Sequence, residues 1–287
     1  MRIGVILPQT EIGPDPSGVR LYGQSVDRLG FDHLVAYDHV VGADPAVHRG
    51  WKGPYDIDTQ FHEPFVVFGF LAGLTSLELA TGIAIAPQRQ TVLLAKQAAE
   101  VDLLTGGRFR LGVGIGWNAV EYEALGQDFS TRGRRLEEQV GLLRRLWTER
   151  SVTFAGGFDR VTGAGLAPLP VQRPIPVWFG GSSPGAYERM GRLADGWIPL
   201  MGPGPKLDDA LATIGAAAEG VGRDPASIGM EGRVTWNGDL DRALASIERW
   251  RGMGATHVSV TTMGAGLTRV EDHIEALTRI AEALGLS

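Results

Sequence analysis

Short apolar runs closed by proline or glycine alternate with helical patterns along the whole chain, and that alternation restricts the folds open to it. Ile3-Gly4-Val5-Ile6-Leu7 ends at Pro8, and a helical recurrence of Leu21, Ser25, Val26 and Leu29 stops at Gly30 before the next run, His33 to Tyr37. Continuous apolar runs belong to strands buried on both faces, the condition of a parallel sheet covered by helices. Further runs occur at Leu77 to Ala86, Phe109 to Val113, Val177 to Phe179, Gly196 to Leu200, Ile228 to Val234 and His257 to Thr261. Helical patterns lie between them: Pro64 to Thr75, Thr91 to Leu104, Arg132 to Glu149, one opening at Pro184, Leu207 to Val221, Leu240 to Met253, and finally Val270 to Leu284. Eight strands alternating with eight helices predict an α/β protein, a (β/α)8 TIM barrel whose active site lies at the C-terminal ends of the strands. A single domain over residues 1–287 suits that length. Two segments are irregular: Val40 to Gln60, and Ser151 to Pro176, a Gly- and Pro-rich excursion after the fourth βα unit.

Composition removes several function classes. The net charge is −6 and no Lys or Arg stripe is present, so nucleic acid is not an expected partner. Cysteine is absent, which excludes disulfides, thiolate catalysis and Cys-ligated metal. The longest apolar stretch, Phe65 to Leu74, is too short to span a bilayer, and Met1-Arg2 leads straight into a strand, so a cytoplasmic protein with no membrane partner is expected.

The 41 glycines are about twice the usual share, and one group of them carries chemistry. Gly112, Gly114 and Gly116 alternate along the fourth strand, just before Trp117-Asn118 and a helical pattern. Glycine at every second position strips one face of a strand, so that a flat ligand or another backbone can approach closely. A helix N-terminus just beyond offers unpaired N–H groups to a phosphate. A tight turn of any α/β protein would look the same. The stretch also satisfies the loose dinucleotide pattern through Gly114, Gly116 and Ala119. It stands in the fourth unit and runs on toward a long helix rather than to a strand closed by an acidic residue, so a Rossmann fold is set aside.

The strand ends supply the remaining candidates. Neither their histidines nor their carboxylates show metal-ligand spacing, and no serine has a plausible base, so neither a metal centre nor hydrolysis is expected. What they offer is glycine, amide, hydroxyl and aromatic groups around one Asp38-His39 pair, which suits a flat organic cofactor that brings its own chemistry. Gly180-Gly181-Ser182-Ser183-Pro184 is the best phosphate candidate, with Ser183 as N-cap and Pro184 at the first helical position; an ordinary capped turn is the alternative. His39 titrates near neutrality and could protonate or orient a reacting group, or it could be an inert turn residue.

Several blocks recur in one order: Glu63-Pro64-Phe65; Leu94-Ala95-Lys96 through Asp102-Leu103-Leu104-Thr105-Gly106-Gly107-Arg108; Gly112 to Asn118 with Glu121; Arg132-Gly133 with Glu137; Pro170-Val171-Gln172 and Pro174; Val177 to Gly181; and Ala194-Asp195-Gly196-Trp197. Together they resemble the luciferase-like monooxygenase family of flavin- and deazaflavin-dependent oxidoreductases over almost the whole chain. The resemblance implies a cofactor ring against a third-strand bulge at Ile83-Ala84, where many members carry a non-proline cis peptide. It implies that Ile115, Gly116, Trp117 and Asn118 approach the cofactor chain, and that Gly180, Gly181, Ser182 and Ser183 surround its phosphate. His39, with Asp38, matches a histidine close to the hydride-transfer site of deazaflavin-dependent members.

Trp117 stands where sugar-phosphate dehydrogenases of the family place a glutamate, so glucose 6-phosphate oxidation is not expected. The Asp38-His39 pair and the Gly-Trp-Asn loop resemble the deazaflavin branch, which implies coenzyme F420 and hydride transfer. FMN is the alternative, with oxygen as co-substrate and a flavin reductase as partner. Arg89, Arg132 and Lys206 are candidates for an anionic cofactor tail, and Trp51, Tyr55 and Trp117 for an apolar pocket around a small-molecule substrate. A barrel that binds the cofactor without turning it over remains open, whereas an aldolase or isomerase would need a strand-end lysine or carboxylate pair. The resemblance also implies a homodimer, to which the helix at Phe65 to Leu74 could contribute.

Overall fold

Strand β1 (Arg2–Ile6) pairs on one side with β2 (His33–Ala36) and on the other with the last strand, β11 (His257–Thr261), and both pairings are parallel. That closes the ring. The computed structural model describes residues 1–286. Pairing continues from β2 through β3 (Glu78–Thr81), β5 (Phe109–Gly114), β8 (Val177–Gly180), β9 (Gly196–Ile198) and β10 (Gly229–Thr235) to β11, all parallel. The result is the expected closed eight-stranded barrel, with no exposed sheet edge to protect. Every residue of β2 and of β5 is buried, as their continuous apolar runs require.

The ring of helices is α1 (Pro16–Arg28), α2 (Pro64–Ala72), α3 (Thr91–Thr105), α5 (Arg132–Thr148), α6 (Pro184–Leu193), α7 (Pro205–Glu219), α8 (Leu240–Gly252) and α9 (Val270–Leu284). A short α4 (Ala119–Ala124) precedes α5. The local signals behave as their chemistry dictates: Gly106 ends α3 in the left-handed region at φ 66°, and the Ser183 side chain accepts from the Ala186 N–H at the start of α6. Fully buried Trp147 ties α5 to α3, its indole N–H donating to the Ala95 carbonyl at 3.0 Å. In α2, Phe65, Phe68 and Leu71 face the core while Val66 is 72 % exposed, so core packing accounts for most of that apolar helix. Among the described residues no helix is long and apolar enough to cross a membrane.

Two expectations need correction. The third strand is not continuous from Leu77 to Ala86. It breaks after Thr81 and resumes as β4 (Ala84–Ile85), and the cis peptide is Gly82–Ile83, one bond earlier than Ile83-Ala84. Gly82 fits there because a Cβ would lie 2.3 Å from Val35 Cγ1. The excursion is not wholly irregular either. It holds an antiparallel hairpin, β6 (Val152–Ala155) with β7 (Arg160–Ala164), whose turn is held by the Glu138 carboxylate accepting from the Gly157, Phe158 and Asp159 N–H groups at 2.6, 2.9 and 2.7 Å. Only Val152 and Val161 of these strands are buried, so no apolar alternation marks them in the sequence.

The fourth-strand glycines receive this bulge. A Cβ on Gly112 would lie 1.9 Å from the Thr81 carbonyl oxygen, and one on Gly114 2.5 Å from Ile83 Cδ1. On the next strand of the ring, Gly180 clears space for the same Ile83 side chain, at 2.9 Å from Cγ2. Of the two uses for a stripped strand face, close approach of another backbone is the one realised at Gly112.

At the opposite, N-terminal end the barrel is plugged by charge. Buried Arg110 bonds to Glu78 and, at 2.8 Å, to Glu231, and its guanidinium lies 4.4 Å from the centre of the Trp178 ring. The second Glu231 oxygen meets His33 Nε2 at 2.9 Å and also accepts from the Ser259 hydroxyl. Burial pushes the Glu231 carboxyl up, but Arg110 and His33 outweigh it and hold it well below the ordinary range. The stabilisation is therefore present above the ordinary glutamate pKa and is lost only as the pH falls through the depressed native value. Arg110→Leu would strand both carboxylates, and urea unfolding is expected to show a loss of about 3–5 kcal/mol. A loss below about 1 kcal/mol would mean that the plug relaxes or hydrates without its cation.

Candidate active site

The C-terminal strand ends surround a cavity of 540 Å3, within the range of small-molecule sites. Its floor is Ile83 lying over Gly114 and Gly180, with Phe179 beside them. One wall is Gly181, Ser182 and Ser183 with Arg132 and Arg189. The other is Tyr37, His39, Tyr55 and Trp117.

His39 follows β2 and is clasped by aromatic rings, with centroids of Phe61 at 4.8 Å, Tyr55 at 5.1 Å and Trp117 at 5.7 Å. Its Nδ1 lies 3.4 Å from Oε2 of Glu121, a fully buried carboxylate on α4. Glu121 also accepts from the Val40 N–H at 2.5 Å, the Val41 N–H at 3.3 Å and the Gln88 side-chain amide at 3.0 Å. Burial pushes its carboxyl up, yet the hydrogen bonds from His39, Gln88 and Val40 hold it below the ordinary glutamate value. An ionised Glu121 keeps the His39 proton on Nδ1. Nε2 is then the free ring nitrogen, with no hydrogen-bond partner among the described residues.

Asp38 does not pair with its neighbour His39. Its carboxylate turns to Arg89, at 2.8 and 3.3 Å, and accepts from the Ile85 N–H at 3.0 Å, so it ties the loop after β2 to the third-strand bulge. Arg89 is completed by Glu63 at 2.9 Å and lies over Phe65. It is thus bound in a buried cluster and is not at the cavity rim.

Of the other expected site residues, Ile83, Ile115, Gly116, Trp117, Gly180, Gly181, Ser182 and Ser183 line the cavity with His39 and Tyr55. Gly116 takes φ 65°, in the left-handed region that glycine favours. Ala84 is fully buried under the bulge, and Asn118, 2 % exposed, spends its side-chain oxygen on the Val120 and Glu121 N–H groups as the cap of α4. Trp51 backs the wall from outside: its ring lies 5.7 Å from that of Trp117 and its N–H donates to the Tyr55 carbonyl at 2.9 Å. Among the three proposed rim cations only Arg132 lines the cavity.

Sequence reasoning gave Glu121 no contact with His39, and it missed Arg189 and Arg233. Glu121 was visible as a block residue, but its contact with His39 spans 82 positions of chain. Nothing in their spacing marks the two arginines.

The wall opposite His39 suits an anion. Arg132 has its Nη1 on the Phe129 carbonyl at 2.6 Å, while its Nε is buried without an acceptor. Arg189, anchored to Glu137 at 3.0 Å, stands beside the first turn of α6, where Ser182 and Ser183 add hydroxyls. A flat floor, an anion-holding wall and an oriented imidazole fit a phosphate-bearing ring cofactor. Among the described residues no group of His, Asp and Glu could hold a metal ion.

A family model described as luciferase-like monooxygenase matches residues 1–285. The chain belongs to that family. Among its luciferase-like relatives, an uncharacterised protein of Mycobacterium tuberculosis is 30 % identical over 266 residues, 90 % of each chain. An F420-dependent glucose-6-phosphate dehydrogenase of Nakamurella multipartita is 31 % identical over 76 % of this chain and 62 % of its own length. Among solved structures, an F420-dependent secondary alcohol dehydrogenase in complex with an F420–acetone adduct shares the fold with a TM-score of 0.79 at 18 % identity, covering 99 % of this chain and 98 % of its own. A Streptomyces bottropensis monooxygenase does so with a TM-score of 0.80 at 20 % identity, with the same coverage.

In this luciferase-like barrel Asp38 borders the cavity, but its carboxylate is taken up by Arg89 and the Ile85 N–H. Asp38→Ala leaves the Ile85 N–H without an acceptor and Arg89 with Glu63 alone, and a loss of about 3 kcal/mol in urea unfolding is expected. A loss under about 0.5 kcal/mol would contradict the structural assignment.

Proposed function

We propose that this chain is an F420-dependent oxidoreductase that transfers a hydride between the deazaflavin and a small organic substrate. The observation that carries the reading is the His39–Glu121 pair, set across one cavity from the anion-holding wall of Ser182, Ser183, Arg132 and Arg189. F420, when bound, supplies a two-electron hydride carrier. The chain's residues do the rest. Ile83 with Gly114 and Gly180 forms the floor for the ring, and Ser182, Ser183, Arg132 and Arg189 hold the phosphate. Trp117 and Tyr55 exclude water on the substrate side. His39 Nε2 gives a proton to, or takes one from, the substrate oxygen, so that an alcohol and a carbonyl can be interconverted. Glu121 fixes the tautomer and orientation, and Asn118 and Asp38 act one layer back, holding α4 and the bulge. The F420 dependence stated for a sequence relative and a structural neighbour supports the same cofactor.

The cradle would also accept the phosphate of FMN, and the family description favours that second reading, in which oxygen replaces the hydride acceptor. Dimerisation in the cytoplasm belongs to the proposal too, with exposed Val66 on α2 as the contact that core packing leaves unused.

An assay of reduced F420 against a panel of small aldehydes and ketones, read by the recovery of F420 fluorescence, tests the chemistry. His39→Ala is expected to keep cofactor affinity and to lose about 100-fold or more in kcat, the usual worth of a positioned acid or base. Unchanged turnover would remove His39 from the mechanism.

A further inference from the structure

Arg233 stands two residues beyond Glu231 on β10, and residues two apart share a face of a strand. Glu231 is in the charge plug at the base of the barrel, so the Arg233 side chain rises from the same inner face into the mouth. There it lines the main cavity with Tyr37 and Tyr55. It also lines an adjoining recess of 360 Å3 that includes Glu11, Thr235 and Thr261. Arg110 is engaged by Glu78 and Glu231, Arg89 by Asp38 and Glu63, and Arg189 by Glu137, while Arg132, which gives its Nη1 to the Phe129 carbonyl, belongs to the anion-holding wall. Arg233 makes no side-chain hydrogen bond and no ion pair among the described residues. The one carboxylate in its recess, Glu11, accepts from the Gly264 N–H at 2.8 Å through Oε1; its Oε2, 3.5 Å from His273 Nε2, has no hydrogen-bond partner among the described residues and is not ion-paired with Arg233.

Arg233 is solvent-exposed rather than stranded, and a planar fork that no protein group claims, lining a concave, partly apolar site, is a recognition element for an anion. Its place decides which anion. The anion-holding wall is at the end of β8 and the start of α6, with β9 lying between β8 and β10 in the ring. Arg233 is therefore on the substrate side, with Tyr55 beside it. Burial and Tyr37 push the Tyr55 hydroxyl up while Arg233 opposes them, which agrees with that closeness. We propose that Arg233 is the specificity-determining anchor for a substrate carboxylate. The substrates of this site are then small organic acids. Their carboxylate takes the planar fork of Arg233, and their apolar body lies against Tyr55 and Trp117. The inference rests on the oxidoreductase reading for what happens to the acid, but not for its binding.

The test is calorimetric titration of two matched pairs, hexanoate with hexanamide and benzoate with benzamide, into the protein with and without saturating F420. At least one acid is expected to bind about tenfold or more tighter than its amide. Arg233→Gln should abolish that preference and leave F420 affinity within about threefold of the parent. Arg233→Lys should retain only part of the preference, since an ammonium cannot reproduce the fork. Arg233 has no side-chain partner among the described residues to lose, so the variants are expected to fold. Equal binding of acid and amide in both pairs would overturn the proposal, and so would a preference that survives Arg233→Gln. A loss of about tenfold or more in F420 affinity in Arg233→Gln would also overturn it, by assigning the residue to the cofactor. An Arg233-dependent acid preference in a protein that fails to bind F420 would uphold the anchor while removing the cofactor reading.

Discussion

The cavity depends on one close contact, the third-strand bulge seated against strands that carry glycine where side chains would collide with it. Thr81 and Ile83 occupy the space that Cβ atoms on Gly112, Gly114 and Gly180 would fill. Asp38 reaches across from the second strand to the Ile85 N–H and fixes the far end of the bulge. Three neighbouring strand ends are thereby locked at one height, and a flat apolar floor is left at the top of a packed barrel. His39 is the next residue after Asp38, so the side chain that could do chemistry hangs from the backbone that the Asp38 cluster holds in place.

Charge is distributed along the barrel axis in a way that separates stability from function. At the N-terminal end Arg110, Glu78, Glu231 and His33 pair with one another, as buried charges must. At the C-terminal end the charged groups are divided. Glu121 and Asp38 are bonded and serve as fixtures, whereas His39 and Arg233 line the cavity with no hydrogen bond from Nε2 or the guanidinium among the described residues, and Arg132, also in the lining, has its Nε buried without an acceptor. Polar groups that the protein leaves unclaimed around a cavity at the strand ends are what a binding site requires.

The barrel was legible because its strands are buried on both faces and therefore read as unbroken apolar runs, each ended by proline, glycine or a cap. The start of α6 at Ser183-Pro184 and the end of α3 at Gly106 followed from local chemistry alone. The break at Gly82–Ile83 was misplaced because an apolar run shows burial and not the geometry of a single peptide bond. The β6–β7 hairpin escaped notice because it is mostly exposed. Partnerships were not legible: Asp38 and His39 are neighbours in sequence, but Asp38 meets Arg89 and His39 meets Glu121, each pairing fixed by packing between elements far apart in the chain. Arg233 was invisible for the same reason, since an arginine without a partner can be recognised only once every possible partner has a position.

The account stands or falls on which cofactor the cavity takes. Fluorescence titration of the purified protein with oxidised F420, and in parallel with FMN, measures this directly. Saturation by F420 in the micromolar range with no comparable response to FMN is the predicted result. Saturation by FMN alone would contradict the hydride-transfer account and make the protein the oxygenase half of a pair with a flavin reductase.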